Sequence, residues 1–99
     1  MEYTFDWDPK KAALNLRKHK VSFERTATVF LDPRAISIPD EEHSEDEERW
    51  VTMGLDTSGT LLVVIHTFDE LDAARCRIRL ISGRKATRKE SRQYAKVAQ

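Results

Sequence analysis

The spacing of apolar positions changes period twice along this chain. Tyr3, Phe5 and Trp7 alternate with polar residues, the period-two signature of a short strand. Asp8-Pro9 then opens a helix, because Asp8 can cap free amides and Pro9 at the first helical position loses no needed donor. This helix is expected to reach about Lys18 and to stop before Val21, with Ala12, Ala13 and Leu16 as its small apolar side. Lys11, Asn15 and Lys18 follow an i, i+4, i+7 spacing and so share a polar face, with His19 at its edge. Ser22 is a second N-cap, and Phe23, Ala27 and Phe30 repeat as one buried stripe of a second helix. That helix ends near Leu31, since Asp32-Pro33 cannot continue it, and the two helices form a hairpin.

From here the period is two. Ile36 and Ile38 mark a strand ending at Pro39, and residues 40–48 read as an acidic loop too charged to pack alone. Trp50 to Leu55 is a strand with Val51, Met53 and Leu55 on one face. Asp56-Thr-Ser-Gly59 is a turn, and Leu61 to Thr67 is apolar enough to be central. Phe68 to Ala74 reads as an acidic connection. Arg75 to Ser82 alternates, Cys76, Ile78 and Leu80 one way and Arg75, Arg77 and Arg79 the other, and Gly83 is expected to end it. Thr87-Arg-Lys-Glu90 is a capping box that starts a last helix, carrying Tyr94 and Val97 on one side. The order predicts an α+β domain spanning 1–99. In it, an N-terminal short strand and a helical hairpin pack on a four-stranded, mainly antiparallel sheet, followed by a C-terminal helix.

Charge changes this picture more than composition does. The 99 residues balance 17 basic against 17 acidic groups, which by itself argues against a polyanion binder. The distribution reverses that. Residues 32–50 hold eight acids and two bases, while all nine bases beyond position 50 lie between Arg75 and Lys96. Within Arg75–Lys96 the only acid is Glu90. An acidic middle and a basic C-terminal quarter fit a cleft for a polyanion beside a patch for a basic partner; solvated faces that cancel are the plainer alternative. The longest apolar run, Leu61 to Ile65, is far below the roughly 18 residues a membrane helix needs, so no membrane partner is expected. The mixed, acidic N-terminus is not a secretory signal. Cys76, the single cysteine, excludes an internal disulfide, and together these fit a cytoplasmic protein.

Read in order, Phe5-Asp-Trp-Asp-Pro9, Lys11, Asn15, Lys18-His19, Val21-Ser-Phe-Glu24, Ala27, Val29-Phe30, Asp32, Glu48-Arg49, Gly54, Ile81-Ser-Gly-Arg84-Lys-Ala86 and Tyr94 resemble the BrnT toxins over essentially the whole chain. Gly83 stands where Ala would be expected, a mild departure. The resemblance implies a RelE-like fold and a toxin of a type II toxin–antitoxin system that arrests growth by cleaving RNA. It also implies a BrnA-type antitoxin, which binds DNA, so that operator DNA is met only through that partner. The runner-up is a non-catalytic module of the same fold that binds nucleic acid or a partner.

RNA can be cut by its own 2′-hydroxyl if a base takes that proton, an acid protonates the leaving 5′-oxygen and positive charge steadies the phosphorane. No metal or other cofactor is required, and His19, His43 and His66 are scattered without a zinc-like spacing. Arg84 is the first candidate for phosphate contact. Counting by twos from Leu80 puts Ser82 and Arg84 on the side of the buried residues, facing a cleft, though a surface arginine in a turn is the rival reading. Lys85 and Arg88 follow it, Arg88 in the first turn of a helix. His19 and Lys18 are candidates for proton transfer, against a helix-end cation or a solvated face. Lys11 and Asn15 would contact substrate; an Asn in mid-helix costs propensity and so suggests a hydrogen-bonding role, structural or catalytic. Glu48 can act as a base or be one more loop acid. Arg49 and Trp50 beside it suit a phosphate and a base, although tryptophan more often packs. Tyr94 can donate to a phosphate or pack the last helix on the sheet. His66 and Cys76 read as structural.

Overall fold

The computed structural model describes residues 1–43 and 47–97. Its sheet is built from strands β1 (Glu2–Asp6), β2 (Ile36–Pro39), β3 (Trp50–Leu55), β4 (Leu61–His66), β5 (Asp69–Glu70) and β6 (Arg75–Lys85), with helices α1 (Pro9–His19), α2 (Phe23–Ala27) and α3 (Arg88–Val97). The strand order is β1-β6-β4-β3-β2, with β5 pairing β6 beside it. The sheet therefore has six strands where four were expected. β1 is not a detached strand but the edge partner of β6, and it runs parallel to it with Tyr3 against Cys76 and Phe5 against Ile78. β5, two residues long, lies inside the segment read as a connection. The β2-β3-β4 meander and its junction with β6 are antiparallel, as the short connections require.

Local signals act where expected. Asp8 accepts from the Lys10 amide and Ser22 from that of Arg25, so both N-caps form. α1 ends at Lys20 in the left-handed conformation, whose amide returns to Leu16. The second helix tightens into a 3₁₀ turn, Thr28–Leu31, before Asp32. The Asp56 carboxylate closes the β3–β4 turn by accepting from Ser58 and Thr60, with Gly59 at φ +86°. Glu41–His43 forms a 3₁₀ turn in the acidic loop; residues 44–46 of that loop lie outside the described residues.

The core lies between one face of the sheet and the α1–α2 layer: Val21, Phe23 and Val29 against Leu62, Val64, Cys76, Ile78 and Leu80. Of the apolar side expected for α1, Ala12 faces inward but Ala13 and Leu16 do not. Leu14 and Leu16 stay 58% and 49% exposed, whereas Asn15 is 6% exposed. Ala12, Asn15 and His19 face inward and Lys11 and Lys18 outward, so Asn15 leaves the polar face assigned to it. The reason is β6. The Asn15 side-chain amide donates to the Gly83 and Val21 carbonyls at 2.8 and 3.0 Å, and its oxygen accepts the Gly83 amide at 3.1 Å. The Asn15 side chain thus pairs with Gly83 as a neighbouring strand would. Gly83 does not end the strand. It continues β6, and a Cβ there would stand 2.5 Å from Thr26 Oγ1.

Candidate functional site

The parity of β6 decides what Arg84 can do. The β4–β6 register slips between Ile65 and His66, so that Ile65 opposes Ser82 and His66 opposes Leu80. This bulge at Ile81 inserts one residue and inverts the alternation beyond it. Cys76, Ile78, Leu80 and then Gly83 are buried against the helices. Counting by twos through Ser82 is thereby overturned: Arg84, opposite Val63, lies on the other face, where α3 crosses.

There Arg84 meets Glu90 with both ends of its fork, Nη1 to Oε1 at 2.8 Å and Nη2 to Oε2 at 2.9 Å. Glu90 also closes the capping box, accepting the Thr87 amide at 2.8 Å while Thr87 Oγ1 accepts the Glu90 amide at 3.2 Å. The Arg84 hydrogen bond, outweighing burial, brings the Glu90 carboxyl down to about 2, with the Thr87 amide adding to it. The same bond raises the Arg84 guanidinium further into its charged form. Lys85 and Arg88 are exposed beside this clasp. Glu90 is the residue that sequence reasoning undervalued. Its signal was present, as the lone acid among nine bases.

Tyr94 makes a second clasp. Its hydroxyl donates to Asp32 Oδ2 at 2.5 Å, and the same oxygen accepts the Leu55 amide at 2.8 Å. Burial and the Asp32 carboxylate push the Tyr94 phenol up to about 12. Burial would raise Asp32, but the Leu55 amide, the Tyr94 hydroxyl and the Arg34 amide and charge leave it below its ordinary value. Between the clasps α3 buries no residue; Glu90, Gln93 and Val97 roof a groove of about 230 Å³ over Ile36, Ile38, Val51, Met53 and Val63.

The structure gathers Arg84, Lys85, Arg88 and Tyr94 around α3. Glu48, Arg49 and Trp50 enter the sheet at the start of β3, level with His66, away from the Arg84 end of β6. Lys11, Lys18 and His19 sit on α1, which packs on the opposite face from α3. The sequence-predicted residues thus fall into three groups rather than one. The outward arginines of β6 are also each supplied with an acid: Arg75 with Asp72 at 2.8 Å, Arg77 with Asp69 at 3.6 Å and Arg79 with Glu47, as Arg84 is with Glu90. Among the described residues no three His, Cys, Asp or Glu side chains converge as a metal-binding set, and no helix is long and apolar enough to cross a membrane.

The family model for the ribonuclease toxin BrnT of type II toxin–antitoxin systems matches residues 7–90. The chain belongs to the BrnT family. In this BrnT-family chain the matched span reaches from Trp7 to Glu90, so it contains α1, the sheet beyond β1 and the Arg84–Glu90 clasp. Among solved structures, the 1.1 Å crystal structure of the Brucella abortus ribonuclease toxin BrnT superimposes with a TM-score of 0.63 at 19% identity. That alignment covers 89% of this chain and all of the other, and it establishes a shared fold. No curated protein matches the chain.

Proposed function

We propose that this BrnT-family toxin is a metal-independent endoribonuclease of the RelE-like kind, using the RNA 2′-hydroxyl as nucleophile. The 2′-oxygen attacks phosphorus as a base takes its proton, and the 5′-oxygen leaves as it is protonated. A 2′,3′-cyclic phosphate and a 5′-hydroxyl remain. The observation that carries this reading is the Arg84 guanidinium, aimed by Glu90 at the end of β6 beside Lys85 and Arg88. Glu90 takes one hydrogen from each Nη, and the edge of the guanidinium left over, with Nε–H, suits the doubled charge of a phosphorane. Lys11, Arg49 and Trp50 remain the proposed substrate contacts. Asn15 is buried and has spent its amide on Gly83 and Val21, so it acts by shaping β6 rather than by touching RNA. The candidates for proton transfer, His19, Lys18, Glu48 and Tyr94, are divided by the sheet: only Tyr94 shares the α3 face with Arg84, while His19 and Lys18 lie across it and Glu48 at the far end of β3. The Tyr94 proton is held by Asp32 and its phenol is a weakened acid, so Tyr94 serves as a proton donor only once that bond opens.

In the cytoplasm the enzyme would be held by a BrnA-type antitoxin, which alone would contact operator DNA. Incubation with RNA in excess EDTA should leave 2′,3′-cyclic or 3′-phosphate ends. Activity that disappears in EDTA and returns with magnesium refutes the mechanism. Intact RNA under every condition favours the non-catalytic binding module instead. Failure of the neighbouring gene product to co-purify or to restore growth removes the antitoxin.

A further inference from the structure

On the helix-bearing face, at the end of the sheet where β3 begins, lies an open cup of about 300 Å³ lined by Tyr3, Phe30, Ser37, Trp50, His66 and Phe68. Its walls are aromatic. Ring centroids follow one another at 6.3 Å from Phe30 to Tyr3, 6.3 Å from Tyr3 to Phe68 and 6.5 Å from Phe68 to Trp50. Tyr3 and Phe68 remain 40% and 37% exposed, so the rings border a space that they do not fill.

The polar part of the cup has hydrogen bonds that run in one direction. His66 and Thr52 are 1% exposed. His66 Nδ1 lies 2.8 Å from the Thr67 carbonyl oxygen, which only accepts, so Nδ1 carries the proton and Nε2 offers a lone pair. Nε2, 2.6 Å from Thr52 Oγ1, takes the Thr52 hydroxyl, and the Thr52 oxygen, 2.7 Å from Ser37 Oγ, takes the Ser37 hydroxyl. Burial holds His66 below its usual pKa and keeps it in this neutral form. Ser37, exposed at the end of the relay, has only lone pairs left for a guest. The guest must therefore donate.

Charge narrows the guest further. Within two residues of the lining positions stand the carboxylates Glu2, Glu48 and Glu70 and, among side chains, the one cation Arg49; Asp32 and Asp69, also near in sequence, are held by Tyr94 and Arg77. We propose that the cup is an aromatic cage for a cationic side chain, lysine or arginine, presented by a protein partner. Ring faces attract a cation, its N–H groups satisfy Ser37, and the surrounding carboxylates draw it in. A nucleobase stacking on Trp50, the substrate contact proposed above, is the rival occupant, but it would bring its phosphates beside Glu2, Glu48 and Glu70, so the observations favour the basic peptide for the cup. The inference rests on the antitoxin-bound reading only for the identity of that partner.

The test titrates fluorescently labelled hexaarginine, and separately hexaadenylate RNA, against the full chain and its Phe68→Ala, Tyr3→Ala and Ser37→Ala variants. Hexaarginine should bind the parent, lose about tenfold in affinity in each ring variant and recover in Phe68→Trp. RNA cleavage should be unchanged in the Phe68 and Tyr3 variants. If Phe68→Ala fails to fold, Phe68→Leu removes the ring while keeping apolar volume. Peptide affinity indifferent to both ring substitutions in proteins that melt like the parent overturns the cage. So does a tenfold loss that appears for hexaadenylate instead. A parent that cleaves no RNA refutes the ribonuclease reading and leaves the peptide result standing.

Discussion

Asn15 and Arg84 stand near the same stretch of β6 and illustrate opposite uses of a polar side chain. Asn15 is sealed in, with both amide hydrogens and its oxygen committed to backbone. Asn15→Asp keeps the shape, removes both donors and sets a carboxylate against two carbonyl oxygens. It should cost about 3–5 kcal/mol, read as a shift in the urea midpoint; a change under 1 kcal/mol means the clamp is dispensable. Gly83→Ala attacks the same junction by volume. Its Cβ would strike the buried Thr26, whose hydroxyl is tied to Ser22, and about 1–3 kcal/mol of stability should be lost in the same assay. Arg84 keeps its charge at the surface, so Arg84→Ala should stay folded and lose only about 1 kcal/mol, the share of its clasp with Glu90. Cleavage should drop by about a hundredfold, on the order of 3 kcal/mol in transition-state charge. A folded Arg84→Ala that arrests growth like the parent would exclude this arginine from the chemistry.

At the level of elements, α3 is fixed by two carboxylates rather than by buried apolar surface, and this gives it an acid-labile attachment. Glu90 has a folded pKa near 2 against an ordinary 4.5. Its contribution is therefore complete above about 4.5 and is lost as pH falls from there towards 2. Asp32 is lowered too, so both clasps weaken in the same direction. Solvent screening limits the Arg84–Glu90 share to about 1 kcal/mol. Amide exchange in α3 should accelerate below pH 4.5 while β4 and β6 stay protected; uniform protection down to pH 3 contradicts the two-clasp description. The capping box was legible because a helix start is specified within four residues, and so were both N-caps and the β2-β3-β4 meander. The pairing of β1 with β6 was not, since its partners lie more than 70 residues apart and a parallel edge strand carries no local turn signal. The bulge at Ile81 was equally silent in the sequence, and one inserted residue was enough to send Arg84 to the other face. Asn15 was misassigned to a solvent-facing stripe because the backbone it clamps is 68 residues away.

For the whole molecule, zero net charge is assembled locally. The outward arginines of β6 each have a carboxylate at hand, borrowed from the β5 connection, the end of the acidic loop and α3. A polyanion laid along β6 would replace those carboxylates one by one, an exchange of one anion for another. Few bound salt ions are then left to be set free, and their release is what makes nucleic-acid affinity steeply salt-dependent. Glu47→Gln opens one such place beside Arg79. It should steepen the logarithmic dependence of single-stranded RNA affinity on salt by about 0.7, measured with an uncleavable 2′-deoxy oligonucleotide. Unlike a bare basic strand, β6 would hold its substrate almost as well in concentrated salt as in dilute, because it brings its own counterions in covalent form.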